Sequence, residues 1–529
     1  MRYLQCLSMF YGVVAAASPQ VKLDYATYVG TSLPAGVNQF LGMRFAAPPL
    51  GNLRWRRPAD PLVEPSPVQA TAHGPICYGI GAAFDPNATT FSDNCLFMDV
   101  YTPSGASETS KLPVWFFIQG GGYTQNSNAN YNGTSVVVES GGNIVVVTFN
   151  YRVGAFGFLA SERVEKDGAL NVGLLDQRQA LLWVQKHISK FGGDPNHVVI
   201  HGDSAGAGSV THHLTAFGGR NYGAPLRRRH RRVRLPVAQL EFQFDLFAAA
   251  AGCANVTSHL QMACLRAQNT SALVAANVAH PFPGRAAVPN FFYTPTIDGD
   301  FIRDHLYTLF REGKFIRVPT LIGDDDDEGT LFAANASMRA AALSFLADNY
   351  PQLTRADRAR LAQLYPRRAP LPLHAPFFPS AAAAYGEGTF TCPGNFLLAQ
   401  LSRARAPVWN YRFSVVQADA AAMGLGVPHT SELPAIFGPA SIPPPGLSAT
   451  FATTNAPIVP VVMNYWISFI RALDPNPHRA ARAPEWVQFD AARQRRLKFV
   501  LNDTHVEAIP ADEDARCAFW NEIGVRIEQ

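Results

Sequence analysis

The residues with the clearest chemical potential lie at 202–206, Gly-Asp-Ser-Ala-Gly. An apolar run at 198–200, Val-Val-Ile, predicts a short buried strand before this segment, and the sequence after it predicts a helix. A serine at a sharp strand-to-helix turn needs residues without bulk two positions before and after it, which glycine supplies. The segment therefore predicts a nucleophile elbow that exposes the Ser204 hydroxyl at a helix N-terminus.

A serine hydroxyl is a poor nucleophile near neutral pH, so Ser204 needs a base and an acid that orients the base. Glu328 follows an apolar strand predicted at 318–323 and the acidic run at 324–327. His429 lies in a loop bounded by glycine and proline at 426–432, after an apolar segment at 408–416. We predict Glu328 as the acid and His429 as the base.

Other interpretations exist for both residues. Five consecutive carboxylates at 324–328 are also typical of a solvated surface loop or a loose calcium site. The chain contains fourteen histidines, and most histidines in a protein are surface or packed residues. The position directly after a predicted strand favours the catalytic interpretation of Glu328.

A glycine run predicts the third component of such a site. The apolar segment 114–118 predicts a strand that continues into Gln-Gly-Gly-Gly-Tyr at 119–123. Glycines let backbone N–H groups approach a substrate oxygen, so Gly121 and Gly122, with the N–H of Ala205, are predicted to form an oxyanion hole. The alternative is a simple glycine turn.

Length and composition describe the scaffold that must position these residues. The chain has 529 residues, of which 47% are hydrophobic and 16% are charged, so it can bury a large core. This composition excludes disordered and fibrous classes. Without a Gly/Ser-rich linker or an internal repeat, residues 19–529 are predicted to form a single catalytic domain.

The N-terminus predicts export. Arg2, a mostly apolar run at 3–14 and small residues at 15–18 are typical of a secretory signal peptide at 1–18, the alternative being a buried N-terminal helix. No other segment is predicted to span a membrane. Six glycosylation sequons also fit a secreted, extracellular protein; they begin at Asn87, Asn132, Asn255, Asn269, Asn335 and Asn502.

Six cysteines remain when Cys6, in the predicted signal, is set aside. An even number in an oxidising compartment predicts three disulfides, and sequence alone allows fifteen pairings. Local spacing favours Cys77 with Cys95 and Cys253 with Cys264. Cys392 and Cys517 then form either a long-range bridge or two free buried thiols.

Several further motifs resemble one protein family in an ordered series. They lie at 40–42, 47–54, 93–96, 150–152, 173–177, 191–195, 327–329 and 429–432, with the elbow between them. Together they are similar to the type-B carboxylesterase and lipase family, which includes cholinesterases and secreted fungal lipases. The resemblance covers nearly the whole chain.

The resemblance implies an α/β-hydrolase fold, with a large, mostly parallel central sheet flanked by helices, and a secreted serine carboxylic ester hydrolase. It implies Ser204, Glu328 and His429 as the catalytic triad and the three disulfides named above. The substrate is expected to be a small ester with an apolar acyl group, and no cofactor, metal or nucleic acid is predicted. The alternatives are a lipase or sterol esterase of the same family, and a non-catalytic adhesion member of the fold.

Three departures from the family pattern bear on function. Asp203 replaces the usual glutamate before the nucleophile, which keeps the charge and is expected to be tolerated. Gln119 replaces a histidine before the glycine run, which leaves the backbone donors in place. The loop between Cys77 and Cys95 is short for a lid-bearing lipase, which favours soluble esters as substrates.

An arginine-rich segment at 226–236 does not fit this scheme. It contains six arginines where the family places a central strand, and six charges in a buried sheet could not all be compensated. We interpret the segment as a shifted reading frame, because reading one base later gives Phe-Ala-Ala-Ala-Ile-Ala-Glu-Ser-Ala-Tyr for one choice of codons. The alternative is a basic surface loop that binds nucleic acid or another acidic polymer.

Overall fold

The structure is a computed structural model that describes residues 18–126, 130–220, 237–442 and 449–528. Apart from residue 18, the predicted signal peptide lies outside the described residues. The arginine-rich segment at 226–236 lies outside them as well.

The strands are short, and several coincide with the apolar runs of the sequence. In chain order they are β1 Gln20–Lys22, β2 Thr27–Val29, β3 Thr31–Leu33, β4 Val37–Arg44, β5 Val68–Gln69, β6 Ile76–Cys77, β7 Phe91–Ser92, β8 Phe97–Pro103, β9 Leu112–Ile118, β10 Val145–Phe149, β11 Gly193–Gly202, β12 Thr320–Asp325, β13 Val408–Phe413, β14 Arg495–Phe499 and β15 His505–Ala508. The strands predicted before the glycine run and before the serine are therefore confirmed as β9 and β11.

Helices connect these strands. They are α1 Thr134–Glu139, α2 Gly154–Phe158, α3 Glu162–Asp167, α4 Val172–His187, α5 Ala205–Gly219, α6 Val237–Ala250, α7 Gln261–Ala267, α8 Thr270–Ala276, α9 Leu306–Arg311, α10 Arg339–Asn349, α11 Arg355–Leu364, α12 Phe378–Gly386, α13 Cys392–Arg403, α14 Ala418–Ala422, α15 Leu433–Phe437, α16 Val459–Ala472 and α17 Ala511–Ile523. A π-helical turn, Glu387–Thr391, joins α12 to α13. The helix predicted after Ser204 is confirmed as α5.

Two larger sheets carry the site. The first has the order β11-β9-β10-β8-β4-β3, with parallel pairing from β11 through β10 and antiparallel pairing beyond it. The second has the order β12-β13-β14-β15, parallel except for its last pair. Among the described strands, β11 pairs only with β9 and β12 pairs only with β13.

The architecture is that of an α/β-hydrolase, as expected, but the sheet is mixed rather than mostly parallel. Every antiparallel pair of these two sheets includes one of the strands β3, β4, β8 and β15, which we call the outer strands. Parallel pairing joins β11, β9 and β10 in the first sheet and β12, β13 and β14 in the second, and such pairs need long crossovers. The composition of the outer strands gave no sign of this direction.

Alternation along β9 explains how the first sheet is buried on both faces. Val114, Phe116 and Ile118 pack into one core cluster, whereas Trp115 and Phe117 pack into another. The second cluster also contains Trp409 of β13 together with residues of β14, α15 and α16. One apolar core therefore spans one face of both sheets and holds them together.

Three disulfides are present, in the pairings that the resemblance implies: Cys77–Cys95, Cys253–Cys264 and Cys392–Cys517. The last one encloses 125 residues and ties α17 to the start of α13. Within the described ranges, no helix is both long enough and apolar enough to cross a membrane.

Candidate active site

Ser204 lies at a strained turn between β11 and α5. Its backbone has φ 51° and ψ −124°, a conformation that L-residues rarely adopt. The glycines on either side allow the turn, because a Cβ on Gly202 would lie 2.3 Å from the backbone carbon of Gly206. A Cβ on Gly206 would lie 1.9 Å from the carbonyl oxygen of Ile118. The elbow therefore packs directly against the end of β9.

The glycine run begins where β9 ends, beside the elbow. In the parallel pair, Gly202 lies opposite Ile118, so both strands deliver their following loops to the same edge. The N–H of Gly120 donates to Asp203 Oδ1 at 2.9 Å, which fixes the loop to the elbow. Gly121 and Gly122 have φ values of 112° and 62°, which favour glycine.

These loops leave backbone donors available. In the described part of the chain, the N–H groups of Gly121, Gly122 and Ala205 donate no hydrogen bond within the protein. Ala205 is the first residue of α5, so its N–H carries the positive end of the helix dipole. Three such donors near a serine are suited to stabilise an oxyanion.

Gln119, which replaces the histidine of the family pattern, anchors the start of the glycine run through hydrogen bonds. Its side-chain amide donates to Asn126 Oδ1 at 2.8 Å and to Asn150 Oδ1 at 3.0 Å. Its backbone oxygen accepts from the hydroxyl of Tyr151 at 2.9 Å. The substitution therefore removes an imidazole while the loop stays anchored.

Glu328 and His429 meet in the interior, 101 residues apart in sequence. Glu328 Oε2 forms a short contact with His429 Nδ1, and both side chains are less than a tenth exposed. The N–H of Asp325 donates to the other oxygen, Glu328 Oε1, at 2.8 Å. The carboxylate therefore has partners on both oxygens and a fixed direction toward the imidazole.

The protonation of His429 follows from this environment. Burial alone would lower the pKa of the imidazole, but the charge of Glu328 and its hydrogen bond outweigh that effect and raise the pKa. The charges of Glu432 and of Asp203, next to Ser204, raise the pKa as well. The Nε2 of His429 is buried without a hydrogen-bond partner among the described residues.

Backbone contacts hold the loops of the acid and the base together. The N–H of Asp327 donates to Val427 O at 2.9 Å, and the N–H of Val427 donates back to Asp327 Oδ2 at 3.0 Å. Thr330 Oγ1 donates to Leu425 O at 2.8 Å. The two residues beside Glu328 and His429, Asp327 and Pro428, form a parallel β-bridge. The spacing of Glu328 and His429 is therefore fixed by these backbone contacts as well as by their own side chains.

The acidic run is not a solvated loop. Asp324 and Asp325 are the last two residues of β12 and are buried. Arg412 of β13 compensates Asp324, with its Nε 2.8 Å from the carboxylate, and also contacts Glu513 at 3.1 Å. Burial still raises the pKa of Asp324 to about 7. The interpretation as a surface loop is wrong for these two residues, because both are buried and Arg412, distant in sequence, compensates the charge of Asp324.

An aromatic wall next to the imidazole was not predicted. Phe390 lies 4.2 Å from His429 between ring centroids, and Phe332 lies 5.2 Å from it. Phe291 packs on Phe332, and a Cβ on Gly122 would lie 2.2 Å from its ring. Phe332 could have been found by its position four residues after Glu328. Phe390 projects from the π-helical turn and has no such local signal.

Asp203 connects the two halves of the site electrostatically. It is buried, and its pKa is raised to about 7 by burial and by the charge of Glu432, against the opposing effect of His429. Asp203 therefore accepts a hydrogen bond from Gly120 of the glycine run and interacts electrostatically with His429.

The site has no cluster of histidine, cysteine or carboxylate side chains arranged to hold a metal, within the residues that the structure describes. What it contains is a serine in a strained turn, free N–H donors beside it, and a histidine oriented by a carboxylate. This arrangement is suited to nucleophilic attack on a carbonyl group and to proton transfer to the leaving group.

Comparison with known proteins agrees with this geometry. The model of the carboxylesterase family matches residues 17–520. Lipase 2 of Geotrichum candidum is 29% identical, covering 93% of both chains, and secreted lipase 1 of Botryotinia fuckeliana is 32% identical, covering 90% of this chain and 89% of its own. The crystal structure of Aspergillus niger EstA is 47% identical with a TM-score of 0.92, covering 97% of this chain and 99% of its own.

Proposed function

Because this chain belongs to the carboxylesterase family and is a carboxylic ester hydrolase, we propose that it works through a covalent acyl-enzyme on Ser204. The observation that carries this proposal is the buried contact between Glu328 and His429, which leaves the Nε2 of the imidazole without a partner. A base oriented in this way is what a serine nucleophile requires.

In the first half of the reaction, His429 Nε2 takes the proton of Ser204 as the serine oxygen attacks the ester carbonyl. The negative charge that develops on the carbonyl oxygen is stabilised by the N–H groups of Gly121, Gly122 and Ala205, and one such donor contributes about 3 kcal/mol. Glu328 keeps the imidazole in one tautomer and stabilises its protonated form. The imidazolium then protonates the departing alcohol.

In the second half, water replaces the alcohol. His429 takes a proton from this water as the water attacks the acyl carbonyl, and the same N–H groups hold the second oxyanion. The acid is released when Ser204 regains its proton. The groups named for both halves of the reaction are side chains and backbone N–H groups of the site itself.

The acyl group is proposed to be apolar. Phe291 lies against Gly122 of the oxyanion loop, while Phe332 and Phe390 line the side of His429. An aromatic surface at this position favours hydrocarbon chains over polar ones.

A lipase or sterol esterase activity is the second candidate, favoured by the lipase names of several relatives. The short loop closed by Cys77 and Cys95 favours soluble esters instead.

Secretion is part of the same proposal. The segment at 1–18 is typical of a signal peptide, the three disulfides fit an oxidising compartment, and some relatives are named secreted lipases. Of the six asparagines that begin sequons, Asn132 is half-buried and accepts a hydrogen bond from Thr134, whereas the others are exposed. We therefore expect glycosylation at the five exposed sites.

The test is hydrolysis of p-nitrophenyl acetate, butyrate and palmitate by the wild-type protein and by Ser204→Ala. Loss of about 10⁴-fold or more in kcat in the variant is expected, because removing a triad nucleophile has that effect. Ser104→Ala, at an exposed serine, is the matched control and should keep full activity. Equal hydrolysis by Ser204→Ala and wild type would overturn the mechanism. Activity that rises only above the solubility limit of the ester would favour the lipase.

A further inference from the structure

Beneath the contact between Glu328 and His429, two further carboxyl groups face each other in the interior. Asp325 is 1% exposed and Glu432 is 8% exposed, and the two carboxyl groups lie within hydrogen-bonding reach of each other. The N–H of Ser431 donates to Asp325 Oδ2 at 3.2 Å, and the hydroxyl of Tyr411 donates to Glu432 Oε1 at 3.2 Å. Each carboxyl group thus accepts a hydrogen bond from an N–H or O–H donor on one of its two oxygens.

The remaining two oxygens require a proton. Asp325 Oδ1 and Glu432 Oε2 are buried and have no donor among the described residues. An ionised carboxylate only accepts hydrogen bonds, so two ionised groups cannot bond to each other. Burial, followed by the charges of neighbouring carboxylates, raises the pKa of Asp325 well above its usual range and raises that of Glu432. A carboxyl pair in this environment is suited to share one proton.

The surroundings favour a single negative charge on this pair. Arg412 binds the carboxylates of Asp324 and Glu513, and it reaches Asp325 only through the backbone oxygen, at 3.4 Å. Arg412 therefore compensates the neighbouring carboxylates rather than this pair. The other titratable groups that face the pair are Glu328, Asp203, Tyr411 and His429.

The pair connects the acid to the base. Asp325 ends β12, and its N–H holds Glu328 Oε1. Glu432 follows His429 by three residues and precedes α15. A hydrogen bond between the two side chains therefore joins the strand that aims the carboxylate to the loop that carries the imidazole.

We propose that Asp325 and Glu432 are positioning residues that share one proton, and that this proton keeps the His429 loop aligned with Glu328 until it is lost at alkaline pH. The inference rests on the proposed function, from which Glu328 and His429 take their roles. Loss of the proton places two like charges side by side, which separates the loop from the strand and lowers kcat.

The central variant is Glu432→Gln. Its amide can donate to Asp325 and accept from Tyr411, so it reproduces the geometry of the shared proton but cannot ionise. We expect its kcat at pH 7 to stay within about threefold of wild type, because both hydrogen bonds are kept. We also expect its activity to persist at alkaline pH, where the activity of the wild type falls.

Glu432→Ala removes both hydrogen bonds and leaves Asp325 and Tyr411 buried without these partners. It should lose about 10- to 100-fold in kcat with little change in KM, since the substrate pocket is not touched. Asp325→Asn is the second conservative variant, in case Glu432→Ala fails to fold, and it should behave like Glu432→Gln. Glu139→Gln, at an exposed glutamate, is the matched control.

An infrared difference spectrum between wild type and Glu432→Gln at neutral pH gives a readout without substrate. It should contain the C=O band of one protonated carboxylic acid. Its absence, or an alkaline limb in Glu432→Gln identical to that of wild type, would overturn the shared proton. If Ser204→Ala proves as active as wild type, the proposed function fails instead, and the infrared band still reports on the pair.

Discussion

The two halves of the site are built by different means. On the first sheet, Ser204 and the glycine run are held by close backbone approaches that only glycine permits, such as Gly206 against Ile118. On the second sheet, Glu328 and His429 lie above a buried set of carboxylates and arginines centred on Arg412. The first half therefore depends on the absence of side-chain volume, and the second depends on the compensation of buried charges.

This difference has a physical basis in what each half must do. The nucleophile side presents backbone N–H groups to the substrate. It therefore needs residues without side chains, because a Cβ would block the close approach. The acid–base side has to stabilise a carboxylate beside an imidazole away from water, which requires further charges and hydrogen bonds to compensate burial. Steric changes should harm the first half most, and changes of charge or pH the second.

The largest effect is expected from the arginine-rich segment. In the described residues no strand joins β11 to β12, and the arginine-rich segment at 226–236 falls between these strands in sequence. Replacing 226–235 by Phe-Ala-Ala-Ala-Ile-Ala-Glu-Ser-Ala-Tyr should raise the yield of soluble, active enzyme by an order of magnitude or more, because six charges no longer compete with burial. Yield and esterase activity of both chains are the measurements.

Sequencing the transcript across codons 222–240 provides the control for this prediction. A shifted frame should appear as the apolar reading. An in-frame arginine run in the transcript, together with equal activity of the two chains, would contradict the frame-shift interpretation and favour a basic surface loop.

The steric half is tested by Gly206→Ala. The added methyl group would lie 1.9 Å from a backbone oxygen, which cannot rotate away, so the elbow must shift. A displacement of about 1 Å at a reacting group can cost about 10²-fold, and we expect at least that loss in kcat/KM. Gly394→Ala, in α13, is the control in the other half. Its added Cβ would have one neighbour within 4 Å, the flexible side-chain atom Ile322 Cγ2 at 3.3 Å. Equal effects of both substitutions would remove the contrast.

The charged half is tested by Arg412→Met. The variant leaves Asp324 and Glu513 buried with less compensation, and we expect the free energy of unfolding to fall by about 3–5 kcal/mol. Arg56→Met breaks an ion pair with Asp167 in which both side chains are 46% exposed, and it should cost less than about 1 kcal/mol. Urea denaturation followed by tryptophan fluorescence measures both. A small effect for Arg412 would mean that charge does not hold this half together.

Removal of the disulfide between Cys392 and Cys517, by serine at both positions, should lower the free energy of unfolding by about 2–5 kcal/mol. The bond encloses 125 residues and follows the π-helical turn that directs Phe390 toward His429. The Cys253–Cys264 bond encloses only 11 residues, so its removal should cost less. Thermal denaturation under non-reducing conditions compares them, and a larger cost for the short loop would contradict the expectation.

The smallest effect, for each pH unit, concerns Asp203. Its pKa of about 7 exceeds the ordinary 3.8, so the folded state keeps a proton that the unfolded state loses. This contribution to stability is present below pH 3.8 and is lost as the pH rises toward 7, with a slope of at most about 1.4 kcal/mol per pH unit. Asp203→Asn should remove that part of the slope. An unchanged pH dependence of the unfolding free energy would show that Asp203 does not titrate there.

Local patterns predicted much of the site because its key residues lie at the ends of strands. The apolar runs at 114–118 and 198–200 predict buried strands, and the glycines after them indicate that two backbone segments approach each other closely. The direction of the outer strands, by contrast, depends on which neighbours they meet, and their short sequences do not specify this. The aromatic wall was missed for the same reason, since Phe390 is one of 35 phenylalanines and comes from a helix distant in sequence.

The amino-acid sequence predicts the chemistry from a serine in a glycine-flanked turn, a glycine run after a strand, and an acid and a histidine after later strands. The environment of these groups becomes visible only in the folded protein. In the sequence, Asp324 and Asp325 are typical of solvated carboxylates. The fold buries both of them and brings Arg412, which follows Asp324 by 88 residues, next to Asp324. Burial and pKa depend on what surrounds a group in space, and these neighbours are far away along the chain.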